Sequence, residues 1–372
     1  MTQIAMPTPF SEAFLDALVE LNARYAHNDL QVRELYGSMP LTFTGTGRPQ
    51  RSLPDVDEAS YARHVSDAVG RGFQFTTLFN TSCTANREFD PAGRQRMLDE
   101  LLRARDLGSH AIVVASPYLI DLCAKHVPEL RIHVSSVAFC KSTKEAAHYR
   151  DRGAHRLILD PDTIRDFRFL KRLQRELPEL ELEALCNHPC LLNCPYETYC
   201  YNSVSHGSAA TEDAIFQGFS LLRCNHDKLS RVVEFVKGSW CRPQDVHHYE
   251  QAGVTTLKLA GRGRSSEWLL SVAEAYLSRD YHGDLMALIW EAQWKAVWRT
   301  AGRDDPPPFP IRVDADAFDG FLEFFVNKRP DCQRGCGSCR HCDSYAESAI
   351  AVDEPAIAHT AQAMEDATQR LL

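Results

Sequence analysis

Between residues 29 and 280 the chain alternates short apolar runs with amphipathic stretches of helical period, and this alternation limits the fold more than any other feature. Eight strands are predicted, over Leu30–Tyr36, Phe73–Phe79, His110–Ala115, Arg131–Val137, Arg156–Leu159, Leu180–Leu185, Val232–Val236 and Thr255–Leu259. Each is short and rich in Val, Ile, Leu or Phe, as strands covered on both faces are. Helices are predicted between most of them, over Tyr61–Val69, Gly93–Leu107, Ser116–Lys125, Thr143–Arg152, Thr163–Leu177 and Gln244–Ala252. Repeated strand–helix units require parallel strands joined by crossover helices. Eight units in about 250 residues match a TIM-like (β/α)8 barrel. A doubly wound open sheet would carry a glycine-rich phosphate loop after its first strand, and that position reads YGSMP. Residues 1–280 are thus expected to form the barrel. Residues 281–372 are expected to form a helical, cysteine-rich extension, with helices over Leu285–Thr300 and Glu354–Leu371 around a proline-rich linker, Asp304–Pro310. The tryptophans of the first of these helices read as core.

The thirteen cysteines are unevenly placed. Cys186, Cys190, Cys194 and Cys200 fall within fifteen residues, and Cys332, Cys336, Cys339 and Cys342 within eleven. The first thirty residues have no basic start and no unbroken apolar run, so neither a secretory signal nor a membrane span is expected. A cytoplasmic location follows, where thiols stay reduced and clustered cysteines read as metal ligands rather than disulfides. The formal charge is −9, from 41 basic and 50 acidic residues. That balance lacks the basic surplus of a nucleic-acid binder and favours a small-molecule or protein substrate.

In such a barrel, functional residues sit on the loops that follow the strands. Cys83 (in FNTSC), Cys186 to Cys200, Cys224 and Cys241 (in KGSWCRPQD) all fall in such segments and are expected at one mouth. Converging thiolates suit an iron–sulfur cluster or a tetrahedral zinc ion, and spacing does not choose between them. Cys190-x3-Cys194 is neither a ferredoxin run nor the Cys-x3-Cys-x2-Cys of a radical-SAM enzyme. Cys186, Cys200 and Cys241 stand as alternates to the other ligands. The C-terminal group, Cys332, Cys336, Cys339 and Cys342, is a candidate second site for a cluster or zinc, with glycines for tight turns. Arg262 and Arg242 are candidate anion clamps. Asp160 reads as a base or as a cap for the helix near Thr163. Asn187 and His188 end a strand, and His206 lies further along the same loop as a proton carrier. No H-E-x-x-H metalloprotease motif occurs.

The stretches LFNTSCTANREFD, HVSSVAFCKSTKEAAHYRDRGAHRLILDPDTIRDFRFL, ALCNHPCLLNCPYETYCYNSVSH and RPQDVHHYEQAGVTTLKLAGR together resemble the collagenase-like family U-32 peptidase superfamily. The resemblance runs from about residue 30 to 280 and more loosely to 350. It implies a TIM-like barrel. Several branches of that family are similar to iron–sulfur proteins of oxygen-independent hydroxylation, of ubiquinone precursors or RNA bases, with prephenate as oxygen donor. By that resemblance Cys83, Cys190, Cys194 and Cys224 are the ligands of a [4Fe–4S] cluster, with Cys241 as the fourth in another branch. The expected function is an iron–sulfur oxidoreductase hydroxylating a small aromatic or metabolite-like substrate. It would be served by an electron donor protein and work alone or as a homo- or heterodimer with a related subunit. The alternatives are a peptidase of the U-32 type and a non-catalytic, cluster-bearing subunit.

Overall fold

The computed structural model describes residues 2–40, 42–209, 216–328, 330–332, 335–337 and 339–372. Eight parallel strands close into a barrel in chain order: β1 (Gln3–Pro7), β2 (Gln31–Gly37), β3 (Gln74–Phe79), β4 (Ala111–Val114), β5 (Arg131–Val134), β6 (Ala154–Ile158), β7 (Glu181–Leu185) and β8 (Val254–Lys258). Around them run α1 (Glu12–Arg24), α2 (Glu58–Gly70), α3 (Pro91–Asp106), α4 (Pro117–His126), α5 (Thr143–Asp151) and α6 (Phe167–Glu176). The long connection from β7 to β8 holds α7 (Glu197–His206), α8 (Phe219–Ser230), α9 (Val233–Lys237) and α10 (Val246–Gln251), and α11 (Ser266–Ser278) follows β8. This is the TIM-like barrel that the alternation predicts.

Two strand assignments are corrected. The first barrel strand is QIAMP, at the very start, where Gln3 pairs with both Gln31 of β2 and Thr256 of β8 and closes the ring. A run of three apolar residues there is too short to separate from background. The segment Val232–Val236 is not a strand. Its core forms α9, one helical turn in which Lys237 reaches back to Glu234 at 3.2 Å and Gly238 ends the turn. A short apolar run with no period is ambiguous between strand and buried helix.

The barrel interior is layered. Toward the mouth lie apolar side chains, Ala5, Tyr36, Leu78, Val113 and Ile158. Below them is a buried ionic layer. Arg156 on β6 donates to Glu34 at 2.6 Å, Glu183 at 2.9 Å and Glu181 at 3.0 Å, and Lys258 donates to Glu183 at 2.6 Å. Thr76 adds a hydrogen bond to Glu34 at 2.8 Å. His133 is buried in the same layer, and burial first, then Arg156, holds it far below the ordinary histidine range, so it is neutral. Two cations thus face two buried carboxylates. Burial of such charges is tolerated only when each is paired and hydrogen-bonded.

The C-terminal region builds α12 (Glu291–Thr300), preceded by a wide π-type turn at Met286–Trp290, then α13 (Phe321–Lys328), α14 (His341–Ala349) and α15 (Glu354–Gln369). A two-stranded antiparallel ribbon pairs β9 (Ile311–Val313) with β10 (Ile350–Val352). Trp290, Trp294 and Trp298 are all buried, as core residues should be, and the Trp294 indole fixes the proline-rich linker by donating to the Pro308 carbonyl at 2.6 Å. α15 lies on α8, with Arg223 paired to Glu365 at 2.9 Å, so the extension braces the helix that carries Cys224.

The ionic layer yields a stability test. Arg156→Met leaves Glu34 buried without its cation and should cost about 3–5 kcal/mol in urea unfolding. Arg175→Met, at an exposed pair with Glu176, should leave the midpoint unchanged.

Candidate metal centre at the barrel mouth

After β7 the chain turns across the barrel mouth. Asn187 takes the place of a further strand residue: its side chain accepts from the Ala260 N–H at 2.6 Å and donates to the Ala260 carbonyl at 3.2 Å. This fixes the loop that carries Cys190 and Cys194. α7 then presents Glu197, Cys200, Tyr201 and Val204, spaced i, i+3, i+4 and i+7, to a cavity of about 610 Å³. α8 presents Ser220 and Cys224 to the same space. Its floor is the apolar layer of the barrel, and Lys258, level with Ala5 at the end of β8, lines the cavity and sends its ammonium down to Glu183.

Four thiols therefore share one cavity: Cys190, Cys194, Cys200 and Cys224. Burial pushes Cys194, Cys200 and Cys224 up to about 12, and Cys190 upward as well. Neighbouring thiols add to burial: Cys190 and Cys224 act on Cys194, Cys190 and Cys194 on Cys200, and Cys190 and Cys200 on Cys224. Every pair in the quartet is thus within electrostatic reach. Two cations act the other way. Lys228 favours the charged forms of Cys190 and Cys224, and Arg48 those of Cys190 and Cys200.

Lys228 is one helical turn beyond Cys224 and fully buried. Its ammonium donates to the Pro189 carbonyl at 2.5 Å, to Gln293 at 2.9 Å and to Asn225 at 3.3 Å. All three acceptors are neutral, and no carboxylate among the described residues pairs with it. A buried ammonium without a counter-ion is costly, and an anionic thiolate–metal group beside it would supply one.

The spacing of the sulfurs bears on the metal. Zinc holds thiolates at about 2.3 Å in a tetrahedron, which sets sulfurs about 3.8 Å apart. Among the described residues, no three sulfurs of the quartet lie mutually within 4.8 Å. The four sulfurs are thus not drawn together as closely as a zinc tetrahedron holds its ligands. These residues fit a [4Fe–4S] cluster.

The expected ligand Cys83 does not line this cavity. Its loop after β3 is held on another side of α7, where the Ser82 hydroxyl donates to Asn202 at 2.8 Å and the Ser82 N–H to Ser205 at 2.9 Å. Those residues lie off the face that bears Cys200, and Cys200, an alternate in the sequence reading, completes the quartet. Cys186 and Cys241 pack in the core, joined by a backbone hydrogen bond of 2.9 Å, with burial pushing both thiols up.

Opposite the thiols the wall is cationic. Among the described residues Arg262 donates to two hydroxyls, Thr46 at 2.8 Å and Ser38 at 3.0 Å, and no carboxylate pairs with it. Burial first, then the adjacent Arg48, brings its guanidinium down to about 9. Arg264 is brought to about 10 by burial and by Arg299. Arg48, Arg262 and Arg264 all line the cavity and form a cradle for an anion. His188 lines it as well. Burial pulls it down to about 4, so it is neutral, and its Nδ1 has no hydrogen-bond partner.

The remaining candidates lie outside the cavity. Arg242 is a clamp for the extension rather than for an anion: it forms a bidentate pair with Asp245 and bonds the Ala315 carbonyl at 2.9 Å and Asp319 at 3.0 Å. His206 ends α7 and does not line the cavity. Asp160 is a cap, accepting from the Asp162 N–H at 2.9 Å. Burial, then Glu197, pushes its carboxyl up to about 7. With Asp162 and Glu197 it surrounds the Lys141 ammonium, which stands 2.7 Å from Asp162, 3.5 Å from Glu197 and 3.7 Å from Asp160. The lysine fills the place a metal ion would take in that acidic group. Asp162 also accepts from the Asn193 N–H at 2.7 Å and so supports the cysteine loop.

A sequence model described as peptidase family U32 matches residues 54–279. The uncharacterized protease MJ1657 of Methanocaldococcus jannaschii is 26% identical over 321 residues, 86% of this chain and 89% of its own length. The solved structure of the U32 peptidase Mk0906 has a TM-score of 0.51 to this fold at 20% identity, covering 70% of this chain and 93% of its own. At that identity the likeness speaks for the fold.

Asp160 gives a pH test. Its folded value lies above the unfolded carboxylate value, so its burial costs nothing in acid and progressively destabilises the fold as pH rises from about 4 to about 7. Asp160→Asn keeps the cap and removes the titration. Relative to wild type, the variant should gain stability across that window, by up to the order of 4 kcal/mol, in urea unfolding at pH 4 and pH 8.

Proposed function

This chain belongs to peptidase family U32, and we propose that it is an iron–sulfur oxidoreductase whose [4Fe–4S] cluster is held by Cys190, Cys194, Cys200 and Cys224. The observation that carries the reading is the convergence of these four thiols on one cavity beside Lys228, a buried cation with no carboxylate partner. When bound, a cluster with four cysteine ligands exchanges single electrons. The protein's own side chains do the rest. Lys228 and Arg48 offset thiolate charge, and a nearby cation raises the reduction potential. Arg48 and Arg262 bind an anionic small molecule, and a dicarboxylate of the prephenate type fits two guanidiniums across one cavity. Neutral His188 can donate or accept a proton next to that molecule. The apolar floor of Tyr36, Leu78, Val113 and Ile158 packs against a ring or hydrocarbon face. Oxygen-independent hydroxylation of a small aromatic or metabolite, fed by an electron donor protein, is the reaction class that joins these parts. No described helix is long and apolar enough to cross a membrane.

A second reading, a peptidase, is favoured by the family's name and by the names of both relatives. A cysteine peptidase needs a thiol of lowered pKa next to a basic histidine. In this cavity burial drives all four thiols upward and His188 downward.

Iron content separates the two. Protein purified without air should hold iron and sulfide with a broad absorption band near about 400 nm. Cys200→Ser should lose the cavity's share, about four irons per chain, whereas Cys83→Ser should keep it. Full iron in Cys200→Ser would contradict the ligand set. Cleavage of casein or gelatin by iron-free protein would establish the peptidase. A further expectation is that Arg262→Gln weakens binding of a dicarboxylate by at least about tenfold in calorimetry, while Arg242→Gln lowers stability and leaves binding unchanged.

A further inference from the structure

A second set of thiols lies outside the barrel cavity. Cys332, Cys336, Cys339 and Cys342 surround a separate pocket of about 200 Å³, walled on one side by Phe324, Phe325 and His341. Cys336 and Cys339 are exposed, while Cys332 and Cys342 are half-buried. The Gly335 N–H donates to the Cys332 carbonyl at 3.3 Å, and the Cys339 N–H to the Cys336 carbonyl at 2.8 Å. Gly335 takes a φ of +106°, open to glycine and strained for other residues.

Behind this pocket is a second buried cation without an anion. Arg165 is 8% exposed. It donates to the carbonyls of Val236 at 2.9 Å and Trp240 at 3.1 Å and lies against the rings of Trp240, Phe321 and Phe325. Its buried Nε has no hydrogen-bond partner, and no carboxylate among the described residues pairs with it. The charges that reach it from this side are the thiols of Cys342 and Cys332. The arrangement repeats that of Lys228 and the cavity quartet.

We propose that Cys332, Cys336, Cys339 and Cys342 bind a second [4Fe–4S] cluster. The choice over zinc rests on two observations. Cys336-x2-Cys339-x2-Cys342 has the spacing with which a ferredoxin run places three thiolates around one cubane, and Cys332 supplies the fourth. No three of these sulfurs lie within 4.8 Å, wider than a zinc tetrahedron. The site also lies close to the first. The Asn193 side chain, next to Cys194, donates to the Cys332 carbonyl at 3.2 Å. Standard covalent lengths then put the Cα atoms of Cys194 and Cys332 within about 13 Å. With its exposed cysteines outward and Cys332 inward, the second cluster stands between solvent and the cavity, where an electron from a protein carrier would enter. That placement rests on the cavity cluster proposed above.

Iron, sulfide and zinc are measured on the full chain purified without air, as wild type, Cys336→Ala/Cys339→Ala and Cys190→Ala/Cys194→Ala. The proposal expects about eight irons in wild type and about four in each variant. If the cavity variant keeps all the iron of wild type and the C-terminal variant loses it, the second cluster stands and the cavity cluster falls. Zinc in wild type that disappears with Cys336 and Cys339, or iron unaffected by their loss, overturns the proposal. Electron paramagnetic resonance of reduced wild type gives a readout that does not depend on how the variants fold. Two clusters this close broaden each other's signals, and a single unbroadened signal contradicts the second site.

Discussion

A cation buried away from water must be met by an anion or the fold bears a cost of several kcal/mol. Lys228 is buried among neutral oxygens, and its charge acts on the thiols of Cys190 and Cys224. Much of the upper half of the molecule is arranged around this one requirement. α8 carries both Cys224 and Lys228, α15 braces α8, Asn187 ties the loop of Cys190 to β8, and Asp162 holds Asn193 between Cys190 and Cys194. Each contact fixes a thiol relative to the same ammonium. The proposed thiolate–metal group would meet that charge requirement.

The barrel itself provides the contrast that gives an unpaired cation its meaning. In the ionic layer Arg156 and Lys258 are also buried, and each has a carboxylate within about 3 Å. The chain thus compensates buried positive charge fully where no ligand can reach. Toward the mouth, at Lys228 and Arg262, and at Arg165 behind the C-terminal cysteines, it leaves cations with neutral partners among the described residues. Below the apolar layer the buried cations are paired with carboxylates and serve the fold.

Much of the fold was legible because α/β alternation is a local property. Seven of the eight barrel strands and the helices α2 to α6 and α10 follow from hydrophobic period, whereas α1, α7, α8 and α11 are not among the predicted helices. β1 was not legible, since QIAMP has the length and composition of a loop and becomes a strand only by pairing with β2 and β8. VVEFV read as a strand because five apolar-rich residues have no period of their own. The site was legible to the level of loops and not of faces. Cys83 and Cys200 both follow barrel strands, and only the helical phase of α7 places one in the cavity and leaves the other outside. Lys228 was within reach, four residues after Cys224 on a helical stretch. Arg242 was not, because its partners Ala315 and Asp319 lie more than seventy residues away.

The most direct test of the account is native mass spectrometry of the anaerobically purified Cys336→Ala/Cys339→Ala chain, with and without an added Cys224→Ser change. This background isolates the cavity. The account predicts one [4Fe–4S] mass increment per chain that disappears when Cys224 is changed. A chain of bare mass, or an increment that survives the loss of Cys224, would contradict it.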